Sequence, residues 1–269
     1  MVKKTVKQQT TKIKQQTQKI RQNKKNTLSN KDYVIFFDDD FTNNINPFRQ
    51  SFPLIKSILV PDNKPYNQIL RGKPDFYYPM MFLKKYKNNK YAQELVKGLT
   101  IEKSYNVCSE CHNSTGQGIS IKEINKIIKW SNNYTDKSRT ALFDWDKTIS
   151  VCNGIFLPEN VKNSQYKLTG NFSPIDIAQY FAGTKQRFDA LQIMFFHLRK
   201  NSIDCKIFTN NGWGQLVKGR EHDFQFFLNI VRILDPQMKE GDIIYGNGDK
   251  ENTFKINDSL MNLYKSIKL

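Results

Sequence analysis

Apolar positions in this chain fall into short runs and helical stripes separated by polar turns. Tyr33, Val34, Ile35, Phe36 and Phe37 form a continuous apolar run that ends at Asp38, Asp39 and Asp40, which predicts a buried strand over 33–37. After the polar turn "TNNINPF", a short helix is expected over 48–56 and a second compact strand over "SILVP", 57–61, closed by Pro61. Residues 62–103 are irregular and rich in Tyr, Lys and Pro, with one helical stretch near 91–98. In "ISIKEINKIIKW", 119–130, Ile121, Ile124, Ile127 and Ile128 recur at the spacing of one helical face, with Ser120 placed as an N-cap. The loop "NNYTDKS" follows.

The second half alternates more regularly. Strand "TALF", 140–143, precedes a long helix over about 174–200, and strand "CKIF", 205–208, precedes a helix over 223–234. Strand "DIIY", 242–245, precedes a last helix over about 252–267. Strand and helix in strict alternation predict an α/β fold, a parallel sheet with helices on both faces. Ligands of such sheets bind beyond the carboxyl ends of the strands, where Asp144, Thr209 and Lys250 fall.

Charge divides the chain. Residues 1–31 carry nine Lys, one Arg and no acid, so +10 of the net +17 lies in this segment. Within it, "KQQTTKI" and "KQQTQKI" are near-repeats that place Val6, Ile13 and Ile20 on one stripe, too sparse for a coiled coil, which needs two apolar positions per heptad. A disordered basic arm is expected, open to nucleic acid or another polyanion. Codon bias toward Lys, Asn and Ile offers a second source for part of this charge. No apolar run approaches the roughly 18–20 residues of a membrane span. The four cysteines, Cys108, Cys111, Cys152 and Cys205, outline no disulfide framework in 269 residues, so an intracellular location is expected. "CSECH", 108–112, has the spacing of a haem attachment or of half a zinc site, yet haem attachment needs an export context that is not expected here, and the other two cysteines lie beside the expected strands and do not complete a zinc site.

On a strand continuing past Phe143, Asp144 and Asp146 point one way and Trp145 the other. Paired carboxylates can divide labour, one attacking a phosphoryl group and the other protonating the leaving oxygen and later activating water. The incoming anion requires neutralisation by Mg²⁺ and a lysine such as Lys250, with the Thr209 hydroxyl and N–H groups around Thr209 and Asn210 on the remaining oxygens.

These residues carry a resemblance. "ALFDWDKT" resembles motif one of the haloacid dehalogenase (HAD) superfamily, "IDCKIFTNN" its motif two, and Lys250 at a helix start its motif three. The resemblance implies a Rossmann-like three-layer α/β/α core and Mg²⁺-dependent phosphatase activity. In that scheme Asp144 is the nucleophile, Asp146 the general acid and base, and Thr209 and Lys250 hold the phosphate. Lys255 and Asp249 are rival positions, the first for motif three and the second for an acidic motif four in normal order. The superfamily expects an acidic motif four on a later strand, where this sequence ends at Leu269. "YVIFFDDD" closely resembles that motif in the magnesium-dependent phosphatase branch, with Asn43 a few residues on. A circular permutation that moves the fourth and fifth strands to the front accounts for the order. Asp39 is then expected as the direct Mg²⁺ ligand beside Asp144 and Asp146, with Asp38 in support and Asp40 a bystander. The layout is also similar to HAD-like proteins of large nucleocytoplasmic DNA viruses, which would place the protein in host cytoplasm or virion.

The expected organisation is thus a basic arm, 1–31, and a HAD-like domain, 32–269. That domain comprises displaced strands in 32–61, an unassigned insert in 62–139, and motifs one to three in 140–269. The expected activity is hydrolysis of a phosphoprotein or nucleic-acid end, since the 150–173 connection is short. The competing expectation is an inactive scaffold that binds nucleic acid or protein through its arm.

Overall fold

The computed structural model describes residues 28–60, 85, 88, 118–133, 135, 137–151, 173–219 and 221–268. Most of the basic arm, the helical stretch expected near 91–98, Cys108, Cys111, His112, Cys152 and most of the 150–173 connection lie outside the described residues.

Five parallel strands form one sheet: β1 (Val34–Asp38), β2 (Lys56–Leu59), β3 (Thr140–Phe143), β4 (Asp204–Thr209) and β5 (Ile243–Tyr245), in the spatial order β2-β1-β3-β4-β5. The register pairs Phe37 with Ile58 on one side and Phe143 on the other, Phe143 with Ile207, and Thr209 with Tyr245. Every residue of β1 and β3 is buried, as expected of central parallel strands covered on both faces.

The period of two along each strand sorts side chains into two cores. Ile35, Phe37, Ala141, Phe143, Cys205 and Ile207 face one layer, while Val34, Phe36, Leu142 and Phe208 face the other. The first layer contains α2 (Ile121–Ser131), α3 (Pro174–Ala182), α4 (Lys185–Lys200) and α5 (Glu221–Leu234). The second contains α1 (Asn46–Ser51), α6 (Lys250–Ile256) and α7 (Asp258–Ser266). In that layer Phe52, just after α1, packs at a tilt on Phe254, ring centroids 4.4 Å apart, and meets Tyr264 edge-on at 5.2 Å. The last two helices therefore pack against the segment that follows the first strand.

This layering follows from connection handedness. From β3 the chain proceeds toward β4 and β5 through helices on the first face, whereas from β1 it proceeds the opposite way to β2 through α1 on the second. Uniformly right-handed crossovers require opposite faces for opposite directions. The direction switches between β1 and β3, and the carboxyl edge of such a switch point opens a crevice for ligand.

Several boundaries depart from the hydrophobic pattern. The first strand runs one residue further than expected, so Asp38 belongs to it; likewise Thr209 is the last residue of β4. The helix expected over 174–200 is two helices. Gly183 ends α3 at φ +80°, and the Thr184 side chain accepts the Arg187 N–H to start α4. The last helix is also two, starting at Lys250 and broken at Asn257, whose side chain caps the Leu260 N–H. Ser120 forms a reciprocal capping box with Glu123, and α2 then packs Ile124, Ile127 and Trp130 into the first core. Part of the unassigned 62–139 region is thus structural. Arg139 secures its end, donating to Trp130 O (2.7 Å) and Ser131 O (2.8 Å) with its guanidinium over the Trp130 ring. Among the described residues no helix is long and apolar enough to cross a membrane.

Candidate active site

Both switch-point strands end in carboxylates. Asp38, fully buried, is held on both oxygens: Oδ1 accepts from the Asp40 N–H (2.8 Å) and from Asn44 Nδ2 (3.0 Å), and Oδ2 from Lys250 Nζ (2.6 Å). Asp39, the next residue, is partly exposed, and the ammonium of Lys147 lies 3.9 Å from its Oδ2. Asp40 turns away and caps the wide helical turn Phe41–Ile45, accepting both the backbone and side-chain N–H of Asn43. Asn43 therefore serves the turn, and the asparagine that reaches the acidic site is its buried neighbour Asn44.

Just past β3, the Asp144 N–H donates to Phe37 O (2.9 Å), which extends the pairing with β1 beyond the regular ladder. Asp144 Oδ1 meets Lys250 Nζ at 2.7 Å. Trp145 faces the first core, edge-on to Phe181 (5.5 Å) and Phe227 (5.0 Å), which anchors the motif. The chain then curls through Asp146 and Lys147, the latter at φ +52°. Behind this curl the buried Arg187 donates to Thr148 O, Ile119 O and Ala182 O, joining the curl to the segment that leads into α2 and to the end of α3. Gly118 is required there, since a Cβ would lie 2.2 Å from the Arg187 guanidinium.

Thr209 is fully buried at the end of β4, and its Oγ1 accepts the Asn211 N–H (3.0 Å). Asn211 in turn donates through Nδ2 to both oxygens of Asp146 (3.3 and 3.2 Å) and accepts the Trp213 N–H on Oδ1. Asn210, expected on the phosphate, is exposed, and its side-chain oxygen accepts the Gly248 N–H (3.1 Å), tying the β4 and β5 loops together. Gly246 makes this possible: a Cβ there would stand 2.4 Å from Asn210 Oδ1 and 2.7 Å from Lys250 Cγ.

Lys250 opens α6 with 1% of its side chain exposed and bridges Asp38 and Asp144. Its two rivals have other partners: Asp249 caps α6 through the Asn252 N–H, and Lys255, half exposed, pairs with Glu251.

Ligand oxygens of Asp38, Asp39 and Asp144 all lie within 4.8 Å of one another. Asp146, expected among the metal ligands, is not in this group; the curl after Trp145 carries it to Asn211. Burial pushes Asp144 well above the usual carboxylate range; Lys250 opposes the rise, while Asp38, Asp146 and Asp39 add to it. Burial and the charge of Asp38 raise Asp39 to about 7. Burial alone would depress Lys250, but Asp144 and Asp38 outweigh it and hold the ammonium above its ordinary pKa. Among the described residues, the three clustered carboxylates, Asp38, Asp39 and Asp144, thus share two ammonium groups, Lys250 and Lys147. Hard carboxylate oxygens short of positive charge suit a divalent cation such as Mg²⁺.

Sequence reasoning passed over Asn44, Asn211, Lys147 and Arg187. Asn44 and Asn211, each the second Asn of an "FTNN", and the Lys of "DWDKT" carried a signal, by lying inside the motifs. No protein-family model matches the chain, and no curated protein and no solved structure matches it either.

Proposed function

We propose that the protein is a circularly permuted HAD-like hydrolase that removes phosphate from its substrate with Mg²⁺, through a phosphoryl group carried on Asp144. The observation that carries this is an adjacency: Asp38 and Asp39 share one crevice with Asp144 and Lys250 although about a hundred residues separate the two acidic motifs. The packing of α6 and α7 on the segment after β1 also fits a permutation.

In the proposed reaction an oxygen of Asp144 attacks phosphorus and the bond to the leaving oxygen breaks. Asp146, positioned by Asn211, gives that oxygen its proton. Asp146 then takes a proton from the water that attacks the aspartyl phosphate, releasing inorganic phosphate and restoring the Asp144 carboxylate. Lys250 stabilises charge beside Asp144, and the Thr209 hydroxyl lies at the matching strand end for a phosphoryl oxygen. Mg²⁺, held by Asp39 and Asp144 with Asp38 in support, would neutralise the phosphoryl group as it is attacked. The short connection between motif one and α3 favours a phosphoprotein or a nucleic-acid end over an enclosed metabolite.

Hydrolysis of a generic aryl phosphate with Mg²⁺ tests the proposal. Turnover by the native chain that vanishes in Asp144→Asn is expected. Turnover unchanged by that substitution overturns the mechanism, and no turnover in the native chain leaves a scaffold that binds through its basic arm.

A further inference from the structure

The two lysines of the site are held in opposite ways. Lys250 is buried and makes hydrogen-bonded contacts of 2.6 and 2.7 Å to two carboxylates. Lys147 stands 3.9 Å from Asp39, beyond hydrogen-bond length, and both side chains keep some solvent access, 16% and 19%. Lys250 is a fixed part of the site, whereas the Lys147 contact can be exchanged at little cost.

The backbone at Lys147 sharpens this contrast. At φ +52° it is one of three non-glycine residues in the left-handed region among the described residues, with Ser202 and Asn247. Glycine or asparagine satisfies such a turn with less strain. A lysine held there places a cation beside the most accessible carboxylate of the acidic group. Strained backbone of this kind persists where a function requires it.

Resting on the phosphohydrolase reading, we propose that Lys147 is an exchangeable counter-ion. It neutralises Asp39 while the site lacks a divalent cation, is displaced when one binds, and then pairs with the phosphoryl group of the incoming substrate. Lys147 thus competes with the metal and afterwards assists the anion.

Three substitutions test this apart from turnover. Lys147→Asn removes the charge with a residue that tolerates the turn, Lys147→Gly removes it with no backbone strain, and Lys147→Arg keeps it. Mn²⁺ binding, read by electron paramagnetic resonance on the full chain at low salt, is expected to tighten about tenfold in the two neutral variants and to stay near native in Lys147→Arg. The difference shrinks as salt is added. Orthophosphate binding to the Mg²⁺-loaded protein, by calorimetry, is expected to weaken about tenfold in the same two variants. Native Mn²⁺ affinity in both neutral variants, or unaltered orthophosphate binding, overturns the inference while leaving the metal site standing. Failure of the native chain to bind Mn²⁺, or binding indifferent to Asp39→Asn, removes the proposed metal site and this inference with it.

Discussion

Replacing Lys250 by methionine keeps most of the stem and deletes the ammonium that joins the two acidic motifs. In the native chain that group is 2.6 Å from Asp38 and 2.7 Å from Asp144, with 1% of its side chain exposed. Removing one partner of a buried ion pair leaves uncompensated charge and costs roughly 3–5 kcal/mol. That is a large share of the roughly 5–15 kcal/mol that stabilises a domain. In metal-free urea denaturation at pH 8, the midpoint of Lys250→Met should fall by about 1–2 M, for a slope of about 2–3 kcal/mol per M. Adding Asp38→Asn to Lys250→Met removes one of the stranded charges and should restore about half of the loss. The deficit should also narrow as pH falls, because the stranded carboxylates then take up protons. A loss below about 1 kcal/mol, or a double variant no more stable than Lys250→Met, would refute the claim that this lysine neutralises a desolvated acidic pair.

Other predictions follow from the same geometry. Asn211→Ala removes the amide that donates to both oxygens of Asp146, so aryl phosphate turnover should drop at least about tenfold in kcat with little change in KM. Asp39 has a folded pKa raised to about 7 from 3.8, so its favourable contribution is fully present below the unfolded value and is lost as pH rises through about 7. Melting of the metal-free chain should therefore move down between about pH 4 and pH 7, less steeply in Asp39→Asn, and Mg²⁺ should raise the native melting temperature at pH 8 but not at pH 4. Arg139→Met leaves the carbonyls of Trp130 and Ser131 without their guanidinium partner and should cost about 2–3 kcal/mol in denaturant unfolding, with the site's turnover retained.

How far the sequence could be read depended on what the chain signals locally. The third strand, 140–143, was legible to the residue because polar positions bound its apolar run on both sides. The first was misjudged by one residue: an aspartate carries no strand signal, and only the partners Lys250 and Asn44 make a buried Asp38 tolerable. The break at Gly183 was obscured because apolar periodicity continues across it, so the cap and not the pattern decides the boundary. Strand neighbours could not be derived from strands buried on both faces, whose alternation names no partner; the resemblance placed only Asp39 beside Asp144, and the pairing of β1 with β3 is a finding of the register. Asn43 and Asn44 are indistinguishable in one dimension, and only the turn at 41–45 sends the second inward. The curl at Lys147, which separates Asp146 from the acidic group, is likewise a backbone event that strand spacing does not foretell.

The central claim is that Asp144 accepts the phosphoryl group, and acid-quenched trapping tests it most directly. With Mg²⁺ and a labelled aryl phosphate, mass spectrometry of the quenched protein should find a hydroxylamine-labile phosphoryl adduct on the peptide containing Asp144, absent without Mg²⁺ and absent in Asp144→Asn. Label on a different residue, or sustained Mg²⁺-dependent turnover by Asp144→Asn, would contradict the account.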